Sequence, residues 1–373
     1  MFYGNMVEDA SLAYPIRPDD TYMDLLWEWW VTATQALVDT IGSEAAVKAL
    51  RPYYVNANTA AIHILGEYAS QFREDPFIIG RFYQFGSEAW LGGSWDMWAT
   101  PCGYIAVIKG CKTRGQCQEL CHLVCQETIE NSKRNNGEIN PETIIVKGLF
   151  KGDDQCLIAP ADCDWEKSLR SSQLLQPLKF SHEELMAFRM QYVGESWVFT
   201  TRAFMDTIGT EVALDKLRMY MRHSGLTYGI RLAEDFENVP RGLKFLGEVI
   251  GSINDHHMRK GRRTTSDDEI EQVVEECPFS QAPPEVCIQY EAFFRGVCEA
   301  IDPDIEFVYD RMMSDGDPTC HWTVRRKRSS PGHQTSQEAM DDDVMVRKLK
   351  WRLTNGEIGI EEYRALLDLL KER

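Results

Sequence analysis

The chain states one pattern twice. Residues 30–53, WVTATQALVDTIGSEAAVKALRPY, return as residues 197–220, WVFTTRAFMDTIGTEVALDKLRMY, at an offset of 167. Downstream, Cys111, Cys121 and Gly152-Asp153-x-x-Cys156 reappear as Cys277, Cys287 and Gly316-Asp317-x-x-Cys320, at offsets of 166, 166 and 164. A register held this closely requires two copies of one folding unit, and each copy is a control on the other. A residue kept in both is structural or shared; one present in a single copy is a candidate for specialisation. At 373 residues, each copy is long enough to bury a core of its own.

Each repeat opens with an amphipathic helix, over about 21–40 and 184–207, and Ser181 with Glu184 forms a capping box at the start of the second. Both helices run into Ile-Gly followed by Ser43 or Thr210. The glycine suits a helix end and the hydroxyl suits the cap of a second helix, so each copy begins as a helical hairpin. More helix follows, to about Leu91 and Asp255, before an extended segment ending at a cysteine: GYIAVIKGC in one copy, EIEQVVEEC in the other. A helix carrying the second cysteine comes next. Then the β-branched and aromatic segments TIIVKGLF and IEFVYDRMM read as strands that turn through Gly-Asp into a return strand. The predicted fold class is α+β: two duplicated domains, each of helices plus a small antiparallel sheet, with a C-terminal helical hairpin. The expected boundaries are 1–163 and 181–324 for the repeats, 164–180 and 325–343 for the linkers, the second flexible, and 344–373 for the hairpin.

A formal net charge of -18 argues against tracking a phosphate backbone, and the basic run Arg325–Arg328 reads as a solvated linker. No run of about 18 apolar residues occurs, and the N-terminal segment lacks a basic start before an apolar stretch. The expectation is a cytoplasmic protein without a membrane span. Eleven cysteines in such a chain point to reduced thiols, metal ligands or catalytic groups before a disulfide framework.

Four cysteines in the second copy, Cys277, Cys287, Cys298 and Cys320, are the candidate zinc ligands, set against a reading as small buried residues. In the first copy Cys117, Cys121 and Cys125 line one helix face and span about 12 Å of rise, too far for one ion and suited to a packing stripe. For a nucleophile, Cys277 with His256 or His257, or Cys320 with His321, are the pairings to test. Asp153 and Asp317 stand in the same turn of both copies and most simply cap it. Tryptophans crowd the first copy: Trp27, Trp29 and Trp30, then Trp90, Trp95 and Trp98. Large aromatics at helical spacing are usually core, but the excess over the second copy suggests an aromatic cavity there, with Trp30, Trp90, Trp95 and Trp98 as its ligand-binding residues. No glycine-rich phosphate loop, serine elbow or zinc-protease helix is present.

The C-terminal hairpin resembles the short C-terminal domain known as SHOCT, on Leu349, Leu353, Gly356, Ile358, Glu361, Glu362, Tyr363, Leu369 and Leu370, with Gly359 where that family has threonine. The resemblance implies oligomerisation or contact with another protein through 344–373. The repeats resemble the 4-vinyl reductase ligand-binding domain and the family of L-2-amino-thiazoline-4-carboxylic acid hydrolase. Glu276-Cys277-Pro278, Cys287 and GDPTCHW from Gly316 to Trp322 carry that likeness, with a fainter echo in Cys111, Cys121 and GDDQC. Zinc-holding members carry a cysteine eight residues before the last one, where this chain has Met312 and Gly148. The resemblance implies handling of a small heterocyclic or sulfur-containing molecule. For an enzyme it implies hydrolytic opening of a C–N bond, and Cys277, Cys287, Cys320 and Asp317 are the catalytic residues to test. The alternative is a non-catalytic ligand sensor or accessory subunit recruited through the hairpin.

Overall fold

The computed structural model describes residues 20–54, 77–111, 123, 125, 143–148, 151–237, 240–257 and 259–327. The SHOCT-like hairpin, most of the second linker, Cys117 and Cys121 lie outside the described residues. In chain order the first half contains α1 (Asp20–Ile41), α2 (43–54), α3 (Ile78–Leu91), β1 (Ser94–Thr100), β2 (Gly103–Lys109), β3 (Thr143–Lys147) and β4 (Cys156–Pro160). A connecting segment holds α4 (Trp165–Arg170) and β5 (Gln173–Leu174). The second half contains α5 (His182–Ile208), α6 (Thr210–Asp235), α7 (Leu243–His256), β6 (Lys260–Thr265), β7 (Glu269–Glu276), α8 (Pro284–Ile301), β8 (Ile305–Arg311) and β9 (Cys320–Arg326). The fold is α+β, and among the described residues no helix is long and apolar enough to cross a membrane.

The four strands of the second sheet repeat the order of the first four of the first sheet, to which β5 adds a short fifth edge strand. The first runs β3-β4-β2-β1-β5 and the second β8-β9-β7-β6, antiparallel throughout. One irregularity is shared: the ladder shifts register between Ile145 and Lys147 in one and between Tyr309 and Arg311 in the other, whereas the shift between Lys260 and Gly261 belongs to the second sheet alone. The capping box at Ser181 forms as the spacing predicts, with Glu184 bonding back to the Ser181 amide at 2.8 Å. The helix junctions differ in one detail. Gly42 and Gly209 take φ of +86° and +88°, and their own carbonyls start the next helix by accepting from Ala46 and Ala213 at 3.0 Å. Glycine itself is therefore the cap residue, with no side-chain bond from Thr210.

Two independent cores are not what forms. One continuous buried cluster spans both halves, because the opening helices α1 and α5 pack on each other and exchange side chains. Trp29 of α1 enters the second half, with ring centroids 5.2 Å from Trp197, 5.1 Å from His257, 5.2 Å from Tyr290 and 5.3 Å from Phe293. In return Ser196, its repeat equivalent, accepts the indole N–H of Trp90 in the first half at 2.8 Å. The exchange closes symmetrically. The Tyr53 hydroxyl donates to Asp206, and Tyr220, 167 residues on, donates to Asp39 at 2.7 Å. Residue i meets j while the copy of i meets the copy of j, the signature of a two-fold interface, here within one chain.

The connecting segment is structured. Asp164 caps α4 through the Lys167 amide, Trp165 and Leu169 cover the outer face of the first sheet over Ile105, Leu157 and Ala159, and Phe180 stacks on Phe85 at 3.9 Å. Cys102, in the β1–β2 turn, and Cys163, before α4, form a disulfide that ties the connecting segment to the first sheet.

Two outcomes follow from the exchange. Trp29→Ala should remove about 3–5 kcal/mol and lower the denaturation midpoint of both halves together, read by tryptophan fluorescence and far-ultraviolet circular dichroism. Separate transitions for the two halves would contradict a shared core. Burial and then the bond to Asp39 push the Tyr220 hydroxyl up from 10.0 to about 12. Because the folded chain holds this proton more tightly, stability from the pair is complete below pH 10.0 and declines as pH rises towards about 12. Tyr220→Phe should flatten that decline in denaturation midpoints measured across the window.

Candidate functional site

The second half gathers an unusual set of side chains where α7 hands over to β6. His257 N–H bonds the Ile253 carbonyl and Arg259 N–H the Asn254 carbonyl, each at 3.0 Å, which turns Arg259 inward beneath the sheet. At 3 % exposure its guanidinium lies 3.8 Å from the ring centre of Tyr290 and 5.6 Å from that of Phe279. Nη1 donates to the Tyr309 hydroxyl at 3.2 Å and to Asn254 Oδ1 at 3.4 Å, and the same Oδ1 accepts the Tyr290 hydroxyl at 2.7 Å. Nε is buried and has no hydrogen-bond partner among the described residues. Tyr290 sits on α8 three residues after Cys287, so both present to one face of that helix.

The thiols complete the surroundings. Cys277 follows β7, Cys287 opens α8 and Cys320 opens β9, so three separate elements deliver them. Arg259 interacts electrostatically with both Cys277 and Cys287, and Cys320 interacts with Cys277 and Arg259. Ser314 Oγ donates to Cys287 Sγ at 3.1 Å and the Met313 amide to Cys320 Sγ at 3.2 Å. Burial pushes the Cys287 thiol up to about 11 against the pull of Arg259 and Ser314, and burial likewise raises Cys320. Cys277 alone of the three is partly exposed.

Other expectations are corrected here. Cys298 lies eleven residues beyond Cys287 on α8, about 16 Å along the axis, fully buried among Lys327, Asp302 and Glu306. The four-cysteine zinc set does not assemble: among the described residues no group of three or more His, Cys, Asp or Glu is placed to hold a metal ion. Asp317 accepts the Met312 amide at 3.1 Å as Asp153 accepts that of Gly148 at 2.8 Å, a turn lock present in both copies. His321 cannot serve Cys320, because neighbouring strand residues point to opposite faces; it is held on the outer face by Glu271 and by Asp310 at 3.0 Å. Of the adjacent pair, His257 is buried edge-on against Trp29, while His256 Nδ1 lies 2.8 Å from the Ser252 carbonyl.

The tryptophans of the first copy fill a core. Trp30 stacks on Trp90, and their N–H groups are bonded to Tyr54 and Ser196; Trp95 bonds the Gly92 carbonyl. Trp98 belongs to the small cluster on the opposite sheet face. The four proposed ligand-binding tryptophans therefore do not share a cavity.

Repeat alignment then separates frame from specialisation. The cysteines Cys111 and Cys156 match Cys277 and Cys320, but Arg259 matches Gly93 at the offset of 166. Gly93 has φ +80° and a Cβ there would lie 2.7 Å from the Gly110 backbone, so the first half has no room for such a side chain. Laying α7 on α3 from end to end, an offset of 165, matches Asn254 to Ala89, and Tyr290 and Tyr309 match Val124 and Ile145 at 166 and 164. The polar network is thus confined to the second copy, and it carries no sequence motif because α7, the turn after it, α8 and β8 each supply one of its residues.

Iodoacetamide at neutral pH should modify Cys277 about tenfold or more faster than Cys287 and Cys298, read by peptide mass mapping. Equal rates would mean that the burial of α8 is not maintained in solution.

No family model matches the chain and no curated protein matches it, so its function rests on the geometry of the site.

Proposed function

We propose that this protein binds a small molecule in its second half, where Arg259, Asn254, Tyr290 and Tyr309 form the recognition network and Cys277 is the thiol that meets the ligand. One observation carries the reading: a buried guanidinium and its polar partners occur in one copy of a duplicated frame and are replaced by glycine and apolar residues in the other. Core packing does not require them, since the first copy folds the same strand order without them. Groups that desolvate a charge and hold it by aromatic and hydroxyl partners are typical of sites that recognise ligands.

A catalytic version of the reading is favoured by Cys277, which is partly exposed and beside the guanidinium. The thiolate would attack an electrophilic carbon of the ligand; a C–S bond forms, the C–N bond breaks as nitrogen takes a proton, and water then releases the product and restores the thiol. This is the hydrolytic chemistry implied by the resemblance to the thiazoline-carboxylate hydrolase family on Glu276-Cys277-Pro278 and GDPTCHW. Without turnover, the same site serves as a sensor or accessory subunit, with the SHOCT-like hairpin recruiting a partner or a second copy.

Native mass spectrometry on reduced protein from its own source tests these together. A small-molecule adduct is expected on the native chain and its loss in Arg259→Met. A ligand-free spectrum of the native chain, with no stabilisation by a library of small heterocycles, would sink the proposal. Cys277→Ser should keep the adduct while abolishing turnover if the ligand is a substrate. Truncation after Arg328 should change the oligomer mass if the hairpin assembles the protein.

A further inference from the structure

The second sheet ends on an edge that the first sheet closes. Strands β1 and β2 pair in the same register as β6 and β7 at an offset of 166, from Trp95↔Ile108 and Gly261↔Val274 to Ala99↔Tyr104 and Thr265↔Ile270. In the first half β5 then adds itself to β1: Leu174 pairs with Trp98, Gln173 with Ala99, and the Leu175 amide donates to the Met97 carbonyl at 2.8 Å. In the second half β6 pairs, among the described residues, with β7 alone, and all six of its residues are exposed. Arg263 and Thr265 stand where Met97 and Ala99 stand, so their amides and carbonyls point away from β7. An edge of this kind is a template for one more strand.

We propose that residues 336–339 of the second linker, which lie outside the described residues, are that strand, pairing antiparallel with β6 as β5 pairs with β1. The repeat itself names the segment. The offset of 164 that relates Gly152, Asp153 and Cys156 to Gly316, Asp317 and Cys320 also carries Ser172-Gln173 onto Ser336-Gln337. In that register Gln337 meets Thr265 and Ala339 meets Arg263, the places of Gln173 on Ala99 and of Leu175 on Met97. The reach is sufficient: the new strand lies three strand spacings from β9, about 14 Å, and the ten residues between Arg326 and Gln337 extend to about 33 Å. Charge agrees as well. Followed along β6, the same register brings Asp341, Asp342 and Asp343 to Lys260 and Arg262, each bridged so far to a single glutamate of β7. A second copy laid edge to edge would instead set Lys260, Arg262 and Arg263 against their own counterparts, a like-charge pairing that is unfavourable.

The residues that the second copy lost fit the same account. In the connecting segment Trp165 and Leu169 cover an apolar sheet face at Ile105, Leu157 and Ala159. The second copy has Ser329 and His333 at the two cover positions, and Glu271, His321 and Thr323 on the sheet, with His321 held by carboxylates. A polar face needs no apolar cover, whereas an edge is closed by backbone groups that any side chain but proline leaves in place. The strand also fixes where the C-terminal hairpin begins, at the Lys260 end of β6 beside the turn that presents Arg259.

Hydrogen–deuterium exchange on the full chain reads the edge directly. Exchange across Lys260–Thr265 should be slow, and Ala339→Pro, which removes the amide that donates to Arg263, should accelerate it about tenfold or more. The exchange of β7 and β1 and the circular dichroism spectrum should stay unchanged. Truncation after Asp343 should keep the protection. If the proline variant does not fold, Thr264→Cys with Glu338→Cys decides: the two positions form a directly opposed, non-hydrogen-bonded pair and should give an intrachain disulfide under mild oxidation, found by peptide mapping. Fast exchange of β6 in the native chain would overturn the proposal, and so would protection unaffected by Ala339→Pro together with no cross-link. Protection that falls on dilution would overturn it in favour of a second copy, and protection lost on truncation after Asp343 would overturn it in favour of the hairpin.

Discussion

The exchange between α1 and α5 governs the rest of the molecule. Each of these helices belongs to one copy of the repeat, yet Trp29 completes the aromatic interior of the other copy, and Ser196 answers by capping the indole of Trp90. The reciprocal tyrosine–aspartate bonds fix the two helices in register at the far end of the same interface. A fully buried tryptophan is among the largest contributors to core stability, so removing either half leaves a slot that the remaining half cannot fill. The chain therefore has the organisation of a homodimer whose protomers have been joined, and the joining segment itself covers one face of the first sheet through Trp165 and Leu169.

Fusion of that kind lets the two copies diverge, since a change in one no longer appears in both. The retained features are those that hold backbone: the strand order, the matched register shifts, and the aspartate that ties its turn by accepting an amide five residues back. The features that differ are side chains at equivalent positions, Arg259 against Gly93 and Tyr309 against Ile145. Trp29 reaches into the half that kept the polar network and stands against Tyr290, whose ring carries the Arg259 guanidinium. The first half thus buttresses the polar network around Arg259 without contributing side chains to its hydrogen bonds.

Much of the frame was legible in the sequence because it depends on local chemistry. The helical hairpins follow from apolar spacing, the capping box from Ser181 and Glu184, and the Gly-Asp turns from glycine at positive φ beside an acceptor. The strands β1 and β6 leave no sequence signal, for opposite reasons: the tryptophans of SWDMWAT fit an aromatic cluster as well as a strand, and KGRRTT, exposed at every position, has no apolar alternation. The shared core was also hidden, because a tryptophan that packs within its own half and one that crosses to the other look the same in a helical pattern. The cysteines drew attention by chemistry, and three do share a neighbourhood, but the residue that organises them is an arginine whose burial depends on a turn between α7 and β6.

The position of that turn explains how a buried cation is held. Arg259 follows the C-terminus of α7, where the helix dipole presents partial negative charge and favours a cation by up to about 2 kcal/mol in partly buried geometry. The stacked Tyr290 ring adds about 2 kcal/mol for a desolvated pair, and the bond to Tyr309 adds a further contribution. Against them stands a desolvation cost of several kcal/mol for one unpaired ion. The balance is close enough for the folded chain to carry the guanidinium, although Nε has no acceptor among the described residues. A side chain fixed by stacking and by one hydroxyl keeps little rotamer freedom, so the fold alone holds the guanidinium in one orientation.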